Sequence, residues 1–288
     1  MELKTLSTGD EAALAAFLAP YVASSMFLLS NAHAAGLVDR GESVQGTYVA
    51  ALEEGRIVGV AAHFWNGVLV LQAPDSRVLE PVARAALSRS RRDLKGFAGP
   101  RSQIDRVVHA LGLEGRRTSL DSREALYELA LGRLRTPEGL VSGRLVCRLP
   151  DEEEIGLLAR WRVEFAIESL GLPDGPELQA VSRKEIERLQ DEKNHWVLLD
   201  AGRPVSYSAF NARLPEVVQI GGVWTPPELR GRGYARSVVA GSLLQARKEG
   251  VERAVLFTAE ENRSARAAYE ALGFRVVGDY GLLIFSGD

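Results

Sequence analysis

Apolar residues recur with two different periods in this chain, and the switches between them predict a mixed α/β protein. Thr8 to Leu18 and Tyr21 to Leu37 follow the helical period. Thr47 to Leu52 and Ile57 to Phe64 form a hairpin around Glu53-Glu54-Gly55-Arg56. Val68 to Leu71 extends that sheet, and Val78 to Arg92 returns to helix. A polar, turn-rich stretch follows at Thr136-Pro137-Glu138-Gly139. Beyond it Leu140 to Arg148 reads as strand, and Asp151 to about Leu170 as an acid-capped helix that Leu172-Pro173-Asp174-Gly175-Pro176 ends. Ser182 to Gln190 is a second helix, and Trp196 to Leu199, Val205 to Asn211 and Val217 to Trp224 make a meander.

The meander leads into the most informative stretch, Val223 to Phe274. Gly221-Gly222 interrupts its last strand, which predicts a bulge and backbone groups without ladder partners. Such groups suit an extended, amide-bearing ligand. Arg230-Gly231-Arg232-Gly233-Tyr234-Ala235 then feeds a run of backbone N–H groups into a helix start, a favourable place for an anion such as pyrophosphate. The two arginines add positive charge. Ala235, Val238, Val239, Ser242, Leu243 and Ala246 share one helix face, and Gly250 stops the helix. There is no GxxxxGK[ST], and Arg236 stands where a dinucleotide fingerprint needs glycine. Val251 to Ala259 is a buried strand. In the next helix Asn262 has the position of an N-cap, Tyr269 that of a core aromatic, and Gly273 that of the stop.

Taken together, two spaced motifs resemble the GNAT superfamily of N-acyltransferases. Arg230-x-x-Gly233-x-Ala235 is similar to its [RQ]xxGx[GA] coenzyme A loop, and Asn262-x-x-Ala265-x-x-x-Tyr269-x-x-x-Gly273-Phe274 to the motif one strand later. The resemblance implies that Val223, Trp224 and Thr225 hold the pantetheine arm, with the Val223 N–H as an oxyanion donor. It implies that Gly231, Arg232, Gly233, Tyr234, Ala235 and Arg236, with Arg230, cradle the pyrophosphate, and that Asn262 contacts the coenzyme. Tyr269 would then be the general acid that protonates the thiolate. The expected reaction is direct transfer of the acetyl group of acetyl-CoA to a primary amine, with no metal. A non-catalytic acetyl-CoA sensor or assembly module is the alternative.

No acid lies inside Val217 to Trp224, so Glu216, His195, Glu164, Glu168 or a water relay remain open as the general base. Trp161, Glu164, Phe165 and Glu168 form the candidate acceptor wall, whose acids would favour a cationic amine.

The first half echoes the second. Leu52-Glu53-Glu54-Gly55-Arg56 matches Leu199-Asp200-Ala201-Gly202-Arg203, Pro74-Asp75-Ser76-Arg77 falls where Pro227-Glu228-Leu229-Arg230 does, and Ala110-Leu111-Gly112-Leu113 where Ala271-Leu272-Gly273-Phe274 does. The expected architecture is therefore two tandem GNAT-like domains with mixed sheets, residues 1–138 and 139–288. The first is degenerate: Val78, Leu79 and Glu80 replace the loop glycines, and Arg101 and Val108 stand at the Asn262 and Tyr269 positions. It would cover the cleft, form a homodimer, or stabilise the second half.

A length of 288 residues fits two domains, and a net charge of −3 gives no pull toward nucleic acid or anionic membrane. Acids interspersed among Arg84, Arg89, Arg91, Arg92 and Lys95 make that cluster a solvated helix face. The single cysteine, Cys147, reads as a buried small hydrophobe and fits a reducing cytoplasm, and His33 has no second ligand at metal spacing. No apolar run is read as long enough to span a bilayer, and the N-terminus lacks a basic segment before its apolar residues, so a cytoplasmic protein is expected.

Overall fold

The computed structural model describes residues 1–287 and contains two compact units that interleave in sequence. Unit 1 comprises Met1–Leu126, Phe257–Glu260 and the chain from Val276 onward; unit 2 comprises Tyr127–Leu256 and Glu261–Arg275. The repeat divides the chain linearly, whereas the compact units exchange short segments.

In chain order the elements are β1 (Glu2–Thr5), α1 (Glu11–Leu18), α2 (Val22–Ala35), β2 (Gly46–Glu53), β3 (Arg56–Phe64), β4 (Val68–Gln72), α3 (Ser76–Ser90), β5 (Gly96–Gly99) and α4 (Arg101–Ala110). There follow β6 (Thr118–Ala130), α5 (Glu138–Val141), β7 (Leu145–Arg148), α6 (Ile155–Leu170), α7 (Pro176–Asp191), β8 (His195–Asp200), β9 (Arg203–Arg213) and β10 (Val217–Trp224). The chain ends with α8 (Tyr234–Lys248), β11 (Arg253–Ala259), α9 (Arg263–Leu272) and β12 (Arg275–Phe285). The strand expected over residues 140–148 is shorter, because residues 138–141 make one helical turn after Pro137.

Unit 1 has strand order β1-β2-β3-β4-β5-β12. From β1 to β12 the pairs are antiparallel except β4 with β5; β12 joins β5 through Gly281↔Gly99 to Ile284↔Gly96 and has β6 on its other side. One core fills each face: Val78, Val82, Ala86, Ile104 and Val107 of α3 and α4 on one, Leu14, Leu18 and Leu28 of α1 and α2 on the other. Unit 2 has strand order β11-β10-β9-β8-β7, with β10 and β11 parallel. Its α6–α7 face is built from Leu158, Trp161, Ile186, Leu189, Tyr207 and Trp224.

The repeat seen in the residues is repeated in backbone geometry. Glu54 and Gly55 turn with φ of 49° and 75°, Ala201 and Gly202 with 50° and 75°, the paired positive φ of a two-residue hairpin. Each hairpin also carries a register shift just before its turn, at Ala51/Leu52 and at Leu198/Leu199.

One expectation is corrected. Glu11–Ala35 is 25 residues of helix with hydropathy 1.8, long and apolar enough to cross a membrane by length and composition. The two expected helices follow one another almost without a break, because Pro20 occupies the start of a 3-10 turn, where its missing N–H costs nothing and the helical path continues. In this structure Leu14, Leu18 and Leu28 lie in the core of unit 1, and Tyr48 Oη donates to the Leu28 carbonyl at 2.8 Å.

Unit 1 also holds an acid-sensitive pair. Asp39 accepts from Arg92 through two nitrogens, from Thr47 Oγ1 at 2.6 Å and from the Gly41 N–H at 3.0 Å. The Arg92 hydrogen bonds hold its carboxyl at about 2, below the ordinary 3.8. A lowered folded-state value means that the stabilisation is present above the unfolded value and is lost as pH falls toward 2. Asp39→Asn is therefore expected to flatten the decline of stability between about pH 4 and the folded value, read from urea unfolding across that window. An unchanged slope would show that the pair contributes no linkage.

Candidate functional site

The candidate site of unit 2 begins where β10 leaves its parallel partner. The ladder to β11 runs from Val217↔Arg253 to Gln219↔Val255 and stops there. On the other side β10 shifts register against β9 between Gln219 and Ile220 and again between Gly221 and Trp224. The glycines permit this: Gly222 has φ of 60°, and a Cβ on Gly221 would sit 1.8 Å from Asn211 Nδ2. Gly221, Gly222 and Val223 are half-buried along the edge that β11 no longer covers. Trp224 and Thr225 are buried, and their carbonyls already accept from Ser206 Oγ at 2.9 Å and Arg230 Nε at 3.0 Å. Of the three strand-end positions, Val223 stands at the opened edge.

The loop after β10 has the geometry its glycines suggest. Gly231 and Gly233 both have φ of 76°, and Gly233 is the N-cap of α8. A glycine cap spends no side-chain oxygen on the first helical turn, so its N–H groups stay available to an anion. No atom lies within 4 Å of where a Cβ on Gly231 would stand, and Arg236 Nη2 lies 3.5 Å from that of Gly233. Ala235 is half-buried on this turn. Three predicted residues have further engagements. Arg232 Nη2 reaches the Glu228 carbonyl at 3.4 Å, and Tyr234 is buried with its Oη donating to Asp200 at 2.5 Å. Arg230 turns toward α6: its Nη2 meets Glu168 at 2.9 Å and its guanidinium stacks 4.8 Å from the Trp224 ring centre.

In the second motif Asn262 caps α9, its Oδ1 accepting from the Ala265 N–H and from Ser264 Oγ, both at 3.0 Å. Tyr269 is buried between Tyr127, 6.4 Å away, and Phe274, 5.9 Å away. Its hydroxyl has no hydrogen-bond partner among the described residues, and burial pushes the phenol well above its usual range. Tyr127 escaped the sequence reading. Its Oη donates to Glu270 at 2.8 Å and accepts from Arg266 Nε at 3.1 Å. The only signal for it is the alternation Ala125, Tyr127, Leu129 in β6.

The expected acceptor wall lines a cleft of about 370 Å³. Trp161, Glu164, Ile167 and Glu168 of α6 face Trp224, Pro226, Pro227 and Glu228. Trp224 Nε1 donates to Glu164 at 3.1 Å. Phe165 lies behind the cleft, edge-on to Trp224 at 6.5 Å. A hollow of about 780 Å³ within unit 1, along Glu2 and Leu52 to Arg56, carries none of the motif residues.

Two chemical candidates fall away. His195 is fully buried, with Nε2 2.8 Å from Gln190 Oε1 and Nδ1 3.2 Å from Tyr207 Oη, and burial pushes it down to about 4. It is a neutral core imidazole, not a base open to substrate. Cys147 lies against Gly241 of α8, and burial pushes its thiol up to about 12, which makes it an inert packing residue. Glu216 is exposed at the start of β10, and its carbonyl accepts from the Glu252 and Arg253 N–H groups.

The matching region of unit 1 is filled by its own residues. Val68 to Val70 pair with Gly96 to Ala98, and β5 stays close beyond them: a Cβ on Gly99 would lie 2.8 Å from the Leu71 carbonyl. Gln103 Oε1 accepts the Ala73 N–H at 2.8 Å. Asp75 caps α3 through the Arg77 N–H, so a carboxylate sits where unit 2 has a glycine. Arg101 is paired with Asp105 and Asp121, and Val108 is buried. In the basic cluster Arg84 binds Glu80, Arg89 binds Thr5 and the Leu3 carbonyl, and Arg92 binds Asp39.

Comparison with known proteins agrees with this geometry. Residues 159–274 match the model of the acetyltransferase (GNAT) family. No curated protein matches the sequence. Among solved structures, a GCN5-related N-acetyltransferase from Sphaerobacter thermophilus is similar over 100% of this chain and 96% of its own, with TM-score 0.58 and 17% identity. A tandem GNAT protein from the clavulanic acid biosynthesis pathway is similar over 99% and 98%, with TM-score 0.57 and 15% identity. An acetyltransferase of the GNAT family from Colwellia psychrerythraea covers 99% and 100%, with TM-score 0.53 and 16% identity. These likenesses establish the fold.

Proposed function

We propose, from the match of residues 159–274 to the GNAT acetyltransferase family, that unit 2 transfers the acetyl group of acetyl-CoA to a primary amine. The observation that carries this reading is the conjunction of an opened β10 edge with an uncapped helix start behind two glycines of positive φ. Both features are absent at the corresponding place in unit 1.

Val223 and its neighbours on the opened edge would hold the amide-bearing arm of acetyl-CoA. The N–H groups from Gly231 into α8, with Arg236, would hold its pyrophosphate. Bound acetyl-CoA supplies the acetyl group as a thioester. The Val223 N–H then has the role of stabilising the developing oxyanion. Tyr269 holds a proton for the departing thiolate, and the cleft along α6 receives the amine. Glu164 and Glu168 are the acids of that cleft, and deprotonation of the amine falls to one of them or to water.

Calorimetric titration of the full chain with acetyl-CoA tests the reading. One site per chain, from unit 2 alone, is the expected result. Two sites would contradict the filled region of unit 1, and no binding at millimolar ligand would overturn acetyl transfer.

A further inference from the structure

The sheet face beneath α6 and α7 carries a polar group that the fold of unit 2 does not use. Buried glutamines elsewhere are satisfied from within the chain: Gln72 Oε1 accepts from Ser24 Oγ at 2.9 Å, and Gln45 Oε1 from the Arg40 N–H at 2.8 Å. Gln219 of β10 differs. Only 2% of it is exposed, yet its Nε2 is buried with no hydrogen-bond partner among the described residues. Taking an amide out of water without a partner destabilises the fold. Such a group is retained against that cost where something outside the fold uses it.

A second carboxamide lies beside it. Gly221 pairs with Ala209, which belongs to the core under α6 and α7 together with Tyr207 and the cleft residue Trp224. Alternation puts Gln219, two residues before Gly221, on this same face. Asn211 is the residue that β9 skips at its register shift, between the Ile220↔Phe210 and Gln219↔Ala212 pairs. Its carboxamide lies against Gly221, with Nδ2 1.8 Å from where a Cβ would stand, so the glycine is what gives it room. Asn211 is exposed, and its side chain makes no hydrogen bond among the described residues. Two free carboxamides thus flank Gly221 on the strand that continues to Val223.

A neutral amine has two N–H groups to donate and a lone pair that must stay free for the thioester carbon. Carboxamide oxygens accept the N–H groups and leave the lone pair alone, and each side chain presents its oxygen by a half-turn of its terminal bond. Being uncharged, they offer no ion pair that would hold the nitrogen as an ammonium. On the reading of unit 2 as an acetyltransferase, we propose that Asn211 and Gln219 seat the reacting nitrogen of the acceptor in its neutral form, one N–H to each oxygen. From that seat the nitrogen bonds the carbonyl carbon and the C–S bond breaks. The nitrogen's surplus proton leaves to the base or to water, and the thiolate takes the proton of Tyr269.

The test is steady-state acetyl transfer by the full chain to hydroxylamine, a small acceptor that is uncharged at neutral pH, followed as release of the CoA thiol. Calorimetric titration with acetyl-CoA runs beside it. Gln219→Leu, a change of little volume, is expected to raise KM for hydroxylamine about tenfold while leaving the affinity for acetyl-CoA unchanged. The same variant should melt about 2–4 °C above the wild type, because an unpaired buried polar group has been removed. A glutamine with a merely structural role would not give a gain in stability together with a loss of acceptor binding. Asn211→Ala, at an exposed position, should raise the same KM without moving the melting temperature. Wild-type KM in both variants, or a lower melting temperature for Gln219→Leu, overturns the proposal. So does wild-type protein that binds acetyl-CoA yet releases no thiol to hydroxylamine beyond the spontaneous rate. Failure of acetyl-CoA itself to bind removes the acetyltransferase reading and this inference together.

Discussion

Gly233→Glu is expected to abolish binding of acetyl-CoA, lowering affinity by at least about 100-fold. Two separate costs add. Gly233 has φ of 76°, a backbone conformation that costs a residue with a side chain on the order of 1–3 kcal/mol. The new carboxylate would also stand at the uncapped start of α8, where the phosphates are to be held, and would compete for Arg236, whose Nη2 lies 3.5 Å from the Cβ position. At the corresponding helix start the first repeat has a carboxylate, Asp75, which caps α3, while Glu80 lies within that helix and pairs with Arg84. Calorimetry gives the affinity, and a melting curve shows how much of the change is strain. Gly233→Ala separates the two costs, since it keeps the strain and adds no charge. Binding of acetyl-CoA to the glutamate variant within a few-fold of wild type would remove the loop from the coenzyme site.

Tyr269→Phe is expected to lower kcat by about 10² to 10⁴ while leaving the affinity for acetyl-CoA and the melting temperature nearly unchanged. The structure explains the separation. The ring contacts with Tyr127 and Phe274 survive the change, and the hydroxyl has no hydrogen bond among the described residues to lose. Burial raises the phenol above its usual value of 10, so the proton is held through the whole working range. The sign of the pH effect follows: Tyr269 contributes no falling limb to the rate below about pH 10, and any limb at lower pH belongs to another group. A kcat within twofold of wild type would show that thiolate protonation does not depend on Tyr269. Wild-type protein that binds acetyl-CoA yet acetylates no amine would favour a sensor.

Much of the site can be read from residues alone because its parts are local. Positive φ at Gly231 and Gly233, the Asn262 cap and the β10 bulge all follow from side chains within a few positions of one another. The hairpin turns at Glu54-Gly55 and Ala201-Gly202 are local in the same way, which is why the repeat was visible. Other features depend on contacts distant in sequence. β6 and β12 drew no assignment because their first halves are largely exposed, and their place is set by pairing with strands distant in sequence: β12 joins β5 with Gly281 opposite Gly99. His195 reads as a candidate base until Gln190 and Tyr207 are seen to enclose it.

The residue pattern by itself therefore determined the fold class, the internal repeat, the glycine turn before α8 and the helix carrying Tyr269, since each rests on backbone conformation or short-range periodicity. Folding in three dimensions settled that Arg230 faces Glu168 and Trp224, that Tyr127 lies beside Tyr269, and that Gln103 and Gly99 fill in the first repeat the space that the second leaves open. Those outcomes are decided by which distant side chains meet, and no local period carries that information.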